Sequence, residues 1–220
     1  MLNHGYGLSS AELTDRLALL DPRGDFLAVA PQGPYRHRDQ VIWHKPALST
    51  GASEQYLTSL AALDHLLGHL QATTGLAAAD AVVGGFSQGG GLGISLLFHA
   101  GVVHRPAAAF GIYSFPAAVP GFAVDRAAAA GRPVFLSSAE RDRFGPIEMG
   151  RGGASLLAST GVDITYVEDD RDHEMSDLAA VEVGAWLADL RAGTLRSGVG
   201  NELFAGTAPS ARYDGLWSFV

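Results

Sequence analysis

The stretch from Val82 to Gly91, Val-Val-Gly-Gly-Phe-Ser-Gln-Gly-Gly-Gly, constrains the fold of this chain more than any other part of it. A β-branched pair opens it, a turn crowded with glycine follows, and an apolar run from Leu92 to His99 continues as a helix. Strand, tight turn and helix form the repeating unit of a parallel α/β sheet. Inside the stretch, Gly85-Phe86-Ser87-Gln88-Gly89 fits G-x-S-x-G, the nucleophile elbow, which carries a serine hydroxyl above the sheet on a sharp turn. Such a turn brings its backbone close to the neighbouring strand and helix, and glycine on both sides of the serine avoids a Cβ clash. Ser87 also stands at a helix N-terminus, where free N–H groups and the dipole favour developing negative charge. The bare pattern would arise by chance in roughly one Gly-rich chain of this length in four, so the strand–turn–helix context carries the assignment. A phosphate-binding loop would need G-x-x-x-x-G-K-[ST], and the turn has no lysine. A dinucleotide fingerprint wants an acidic residue about 20 positions later, and none lies between Ala81 and Val124.

The rest of the chain repeats the unit. Ser9 to Leu20 reads as a helix with Ser9 and Glu12 as a capping box, and Asp21-Pro22-Arg23-Gly24 breaks it. Phe26 to Ala30 reads as a short buried strand. Pro34 to Ala52 has no clear period and suits a lid, a binding loop or a solvated crossover. Ser53 to Thr73 is the longest helical pattern, with Tyr56, Leu60, Leu63, Leu67 and Leu70 on one stripe. Its His65 and His69 lack the glutamate of an H-E-x-x-H frame and read as surface histidines, not metal ligands. Strands at 81–84, 107–113, 133–138 and 162–167 alternate with helices at 89–99, 146–160 and 176–191. In the last helix Leu178, Val181, Ala185 and Leu190 are expected to face inward. Alternating short apolar strands and helices imply a mostly parallel sheet covered on both faces. Reactive groups in such a sheet gather beyond the carboxyl ends of its strands. Residues 1–191 form one domain in this reading, and 192–220 a C-terminal extension. Its Leu203, Phe204, Tyr213, Leu216, Trp217 and Phe219 suggest docking on the body rather than disorder.

A serine hydroxyl needs a base, and the base needs an orienting carboxylate. For this motif the chain order is Ser, then Asp or Glu, then His. His99 ends the helix that begins at the elbow, about 14 Å away along its axis. His104 lies at the strand-entry edge. His173 follows the strand at 162–167 at the catalytic edge and is the candidate base. The preceding strand runs into Ala139-Glu140-Arg141-Asp142-Arg143-Phe144. Asp142 is the preferred acid there, with Glu140 as competitor, while Asp169, Asp170 and Asp172 read as a solvated run. The backbone N–H of Gln88 is one candidate oxyanion donor. The loop His4-Gly5-Tyr6-Gly7 supplies the other through Tyr6.

The formal net charge of −8 disfavours a nucleic-acid or anionic-membrane partner. No cysteine is present, which excludes disulfides, a thiolate metal site and a cysteine nucleophile. No signal peptide or membrane span is recognisable, and the default location is cytoplasmic.

With these residues in place, the chain resembles the phospholipase/carboxylesterase family of α/β-hydrolases. This branch includes carboxylesterases, lysophospholipases and acyl-protein thioesterases. The similarity rests on the His4-Gly5-Tyr6-Gly7 loop, on Gly85-Phe86-Ser87-Gln88-Gly89, and on Asp142 and His173, and it runs from about His4 to Leu190. It implies an α/β-hydrolase fold and a cofactor-free, metal-free serine hydrolase acting on small carboxylic esters or thioesters. It also implies that the loop from about Pro31 to Trp43 borders the acyl pocket, with His4, Gly5 and Trp43 as substrate-binding residues. One departure is that the strand leading into the His-Gly loop is essentially absent, and Tyr213 to Val220 is a candidate to fill its place. Acyl transfer to another acceptor and a non-catalytic ligand-binding role remain alternatives, and the oligomeric state is open.

Overall fold

The computed structural model describes residues 1–46, 49–117 and 119–196. The chain runs β1 (Leu2–Asn3), α1 (Ser10–Thr14), α2 (Leu17–Leu20), β2 (Tyr35–His37), β3 (Gln40–Ile42), α3 (Ala52–Thr74), β4 (Val82–Phe86), α4 (Gln88–Phe98), β5 (Ala108–Ile112), α5 (Arg126–Ala129), β6 (Pro133–Ala139), α6 (Ile147–Ser159), β7 (Asp163–Asp169) and α7 (Asp177–Ala192). Five parallel strands form one sheet in the order β1-β4-β5-β6-β7. Both faces are buried, as parallel sheets require. Alternation along the strands divides the core. Phe110 and Phe135 face α7 and its Val183, Trp186 and Leu187, whereas Ala109, Val134 and Leu136 face Ile94, Leu97 and Leu157 of α4 and α6. A third cluster joins Tyr56, Leu60, Leu63 and Leu67 of α3 to Leu92 and Leu96 of α4. Each fully buried aliphatic or aromatic side chain of this kind contributes about 1.5–3 kcal/mol. Among the described residues no helix is long and apolar enough to cross a membrane.

The strand before the His-Gly loop is present, though only two residues long. Leu2 and Asn3 pair in parallel with Gly84 and Gly85. The expected buried strand at Phe26 to Ala30 does not form. The segment gives one backbone bond, Leu2 N–H to the Val29 carbonyl at 2.8 Å, and Leu27 is 60% exposed. A two-residue neighbour offers too few ladder partners to hold it as a strand.

Three other expectations change. The helix over Ser9 to Leu20 splits into α1 and α2, and the Ser9 side chain makes no cap bond. The Ser10 amide instead donates to the Gln32 side chain at 3.3 Å. The aperiodic segment after Pro34 contains a hairpin, β2–β3. Arg38 and Asp39 at its tip have φ of 48° and 65°, the pair of positive values that a two-residue I′ turn needs. In α7 the buried face is Ala179, Ala180, Val183, Gly184, Trp186 and Leu187, while Leu178 and Val181 are exposed. A Cβ on Gly184 would lie 2.3 Å from the Leu19 carbonyl oxygen, so α7 rests on the turn at the end of α2 through this bare backbone. That close approach rotates Leu178 and Val181 outward. The expected docking of the extension, including Tyr213 to Val220 as filler, concerns residues that lie outside the described ones beyond Arg196.

Candidate active site

β4 delivers Ser87 to the carboxyl edge of the sheet, and α4 begins one residue later. Ser87 has φ 51° and ψ −121°, a conformation that costs a non-glycine residue of order 1–3 kcal/mol and persists only where the surroundings enforce it. Its amide donates to the Ile112 carbonyl at 2.9 Å. The glycines two residues away on either side face β1. A Cβ on Gly85 would lie 1.9 Å from the Asn3 carbonyl oxygen, and one on Gly89 would lie 2.3 Å from the same atom.

His173 follows β7, and Asp142 follows β6. The structure brings both to Ser87. His173 Nε2 is 2.8 Å from Ser87 Oγ, and His173 Nδ1 is 2.6 Å from Asp142 Oδ2. A carboxylate accepts, so Nδ1 donates and Nε2 presents its lone pair to the serine hydroxyl. Asp142 Oδ1 accepts the amides of Phe144 and Gly145, each at 2.8 Å. The competitor Glu140 is exposed, and only its backbone amide is engaged, with the Asp169 carbonyl at 2.8 Å. Phe86 and Phe144 flank the imidazole at ring-centre distances of 4.9 and 5.4 Å.

The acidic run beside His173 is paired rather than free. Asp170 meets Arg141 at 2.8 Å and Asp172 meets Arg143 at 2.6 Å. The Arg143 hydrogen bond holds the Asp172 carboxyl below its ordinary value. Asp169 accepts the Tyr113 hydroxyl and pairs with Arg171 at 3.2 Å. Burial and the Asp169 charge both push the Tyr113 phenol up. These contacts tie the loop carrying Asp142 to the loop carrying His173.

The His4–Gly7 loop lies against the same edge. Gly7 N–H donates to the Val41 carbonyl at 2.9 Å, which hangs the β2–β3 hairpin on it. Among the described residues the amides of Tyr6 and Gln88 have no hydrogen-bond partner. Both residues line the cavity over Ser87. This cavity, of about 240 Å³, is bounded also by His44, Tyr56, Tyr113 and Phe115.

His4, Gly5 and Trp43, which the resemblance implies touch substrate, do not line it. His4 is fully buried. Its Nε2 accepts from the Gly33 amide and the Gln32 side chain, both at 2.9 Å. Trp43 is also buried, and its indole N–H donates to the His4 carbonyl at 2.8 Å. They brace the loop from behind, because an interior ring with a polar edge must spend that edge on the nearest backbone. The Gln88 side chain completes the brace. Its Oε1 accepts from the Trp43 amide at 2.8 Å, and its Nε2 donates to the His44 carbonyl at 2.9 Å.

His44 and Tyr113 were absent from the sequence-derived site. Tyr113 directly follows β5, so the carboxyl-edge rule that located Asp142 and His173 would have reached it. His44 carries no such signal, because only the fold of the 31–45 loop turns it inward. Burial lowers the His44 pKa from 6.5 to about 4, and burial lowers His4 as well. Above pH 6.5 the imidazole is neutral in both folded and unfolded chains. As pH falls toward 4 only the unfolded chain takes up the proton, so stability declines across that window. For His44 the gap corresponds to about 3 kcal/mol. Urea midpoints measured from pH 7 to pH 4 are expected to fall, and His44→Phe to flatten the fall. An equal slope in parent and variant would contradict this assignment.

No protein-family model matches the chain. Solved structures do. A carboxylesterase from Bacillus cereus superposes with a TM-score of 0.74 at 18% identity, over 86% of each chain. The chain has the α/β-hydrolase fold. A carboxylesterase from Mesorhizobium loti shares this fold at TM-score 0.71 and 22% identity, over 85% of this chain and 86% of its own. Zea mays acyl-protein thioesterase 2 does so at 0.62 and 18%, over 85% and 90%. These α/β-hydrolase neighbours are the kinds of protein that the His-Gly loop and the Gly-Phe-Ser-Gln-Gly elbow resemble.

Proposed function

We propose that this chain is a serine hydrolase of small carboxylic esters. The single observation that carries the reading is the His173 imidazole, 2.8 Å from Ser87 Oγ on one side and 2.6 Å from Asp142 on the other. In the proposed reaction Ser87 Oγ attacks the ester carbonyl carbon while its proton passes to His173 Nε2. Asp142 keeps the Nδ1–H tautomer and stabilises the imidazolium. The amides of Tyr6 and Gln88 bind the oxyanion, and loss of one such donor typically costs about 3–4 kcal/mol of transition-state stabilisation. Collapse of the tetrahedral intermediate breaks the bond to the alkoxy group, which leaves as alcohol with the proton from His173. Water then attacks the acyl-serine, giving its proton to His173. The second collapse returns that proton to Ser87 Oγ and frees the carboxylic acid. The esterase and thioesterase neighbours support an ester-cleaving chemistry for this fold.

The test is labelling with a fluorophosphonate probe, read by intact mass. One adduct on the parent and none on Ser87→Ala is expected, with loss of ester turnover in the variant. A folded parent that takes no adduct would remove the reading and favour a ligand-binding role for the cavity.

A further inference from the structure

The cavity over Ser87 is walled mostly by rings and small apolar groups, among them Tyr56, Phe115, Ala117 and Phe144. Besides the buried Ser114, His44 interrupts that lining. It is 9% exposed, and its ring stands edge-on to Tyr56 at 5.1 Å. Nδ1 is 2.8 Å from the Lys45 carbonyl. A carbonyl only accepts, so Nδ1 carries the hydrogen and Nε2 of the neutral ring carries the lone pair. Nε2 has no hydrogen-bond partner among the described residues. The hydroxyl of neighbouring Tyr56 is already committed to Ser95 Oγ at 2.6 Å.

The ring is also fixed in place. Gln88 Nε2 donates to the His44 carbonyl at 2.9 Å, and the Lys45 amide donates to Gln55 Oε1 at 2.9 Å. Water can reach Nε2 while the cavity is open, but a chain that fills the cavity displaces that water. An apolar chain then leaves the acceptor without a donor, which is costly, and a ligand that brings its own donor avoids that cost. A charged donor would have to lose its water in an apolar cavity without a counter-charge, which is far more expensive than burying a hydroxyl. The volume of about 240 Å³ accommodates a short chain.

We propose that the preferred substrates are esters whose short acyl chain carries a neutral hydrogen-bond donor, a hydroxyl in the simplest case, accepted by His44 Nε2 inside the cavity. This rests on the serine-hydrolase reading above and names the substrate class of the same site.

The test compares kcat/KM for p-nitrophenyl butyrate with the 2-hydroxy- and 3-hydroxybutyrate esters and their O-methyl ethers, on the full chain and on His44→Phe. At least one hydroxy ester is expected to exceed butyrate about tenfold in the parent, the worth of one hydrogen bond of about 1.4 kcal/mol. Its O-methyl ether should lose that advantage, and in His44→Phe the hydroxy-to-butyrate ratio should fall to about one. The ether comparison needs no variant and stands even where His44→Phe fails to fold. Ser87-dependent butyrate turnover without a hydroxyl preference, or a preference shared by the ether, would overturn the assignment and leave the hydrolase reading intact. Absence of all turnover in a folded parent would overturn both.

Discussion

Asp142→Asn should lower kcat by about 10⁴ while leaving the fold and KM close to those of the parent. Asp142 Oδ1 accepts the amides of Phe144 and Gly145. The introduced carboxamide keeps those bonds only by placing its oxygen there. Its NH₂ group then faces His173 Nδ1, which must accept instead of donate. The ring proton moves to Nε2, and the lone pair that would receive the Ser87 proton is gone. Burial sharpens the effect, since the Asp142 side chain is 2% exposed and water cannot easily substitute. Steady-state rates on a short ester, with a thermal melt on the same sample, measure it. A rate within about tenfold of the parent at unchanged melting temperature would remove Asp142 from the proposed mechanism. Glu140→Gln, whose exposed side chain lies apart from His173, should be nearly silent in the same assay.

Among the described glycines, Gly85→Ala should be one of the most damaging substitutions. The new methyl would sit 1.9 Å from the Asn3 carbonyl oxygen and 2.8 Å from its carbon. Both are backbone atoms of β1, so no rotamer change can clear them. Relief requires β1 to leave β4, which breaks the Leu2–Gly84 and Asn3–Gly85 pairing. The His4–Gly7 loop is continuous with β1, so the Tyr6 amide would move with it. Destabilisation of about 4 kcal/mol or more is expected, a magnitude reserved for such named mechanisms. For a chain of this size that is a melting-temperature loss of about 10 °C, accompanied by loss of ester turnover. Gly24→Ala is the useful contrast. Gly24 has φ +67° with open space around it, so the substitution costs only the left-handed penalty of about 1–2 kcal/mol. Equal stability losses in the two variants would mean that close approach at Gly85 is not the operative constraint.

Much of this site was legible because its chemistry is written in local sequence. The elbow needs glycine beside Ser87 for a steric reason, and the same two glycines meet the backbone of β1. Chain order left His99, His104 and His173, and their places at a helix end and a strand-entry edge put the first two at the wrong edge of the sheet. The acid was narrowed to one loop, and there the sequence left Asp142 and Glu140 as rivals. Only the turn after β6 decides between them, by aiming one side chain at His173 and the other at solvent. The mistaken placements share a cause. Leu178 and Val181 suit an inward stripe by period, but helix rotation is set by where Gly184 meets Leu19, a contact between distant parts of the chain. Phe26 to Ala30 has the composition of a buried strand, but a strand exists only where a neighbour supplies its hydrogen bonds.

The sequence by itself determined the parallel α/β organisation, the strand–turn–helix around Ser87, and the order in which Ser87, Asp142 and His173 appear. Periodicity and turn chemistry act over a few residues, so they can be read along the chain. Tertiary structure alone decided that His4 and Trp43 brace the His-Gly loop from behind while His44 enters the cavity. Those roles depend on which side of one irregular loop faces the elbow. That orientation comes from the Gln88 clamp and the packing of α3 against α4, contacts between residues about 40 positions apart.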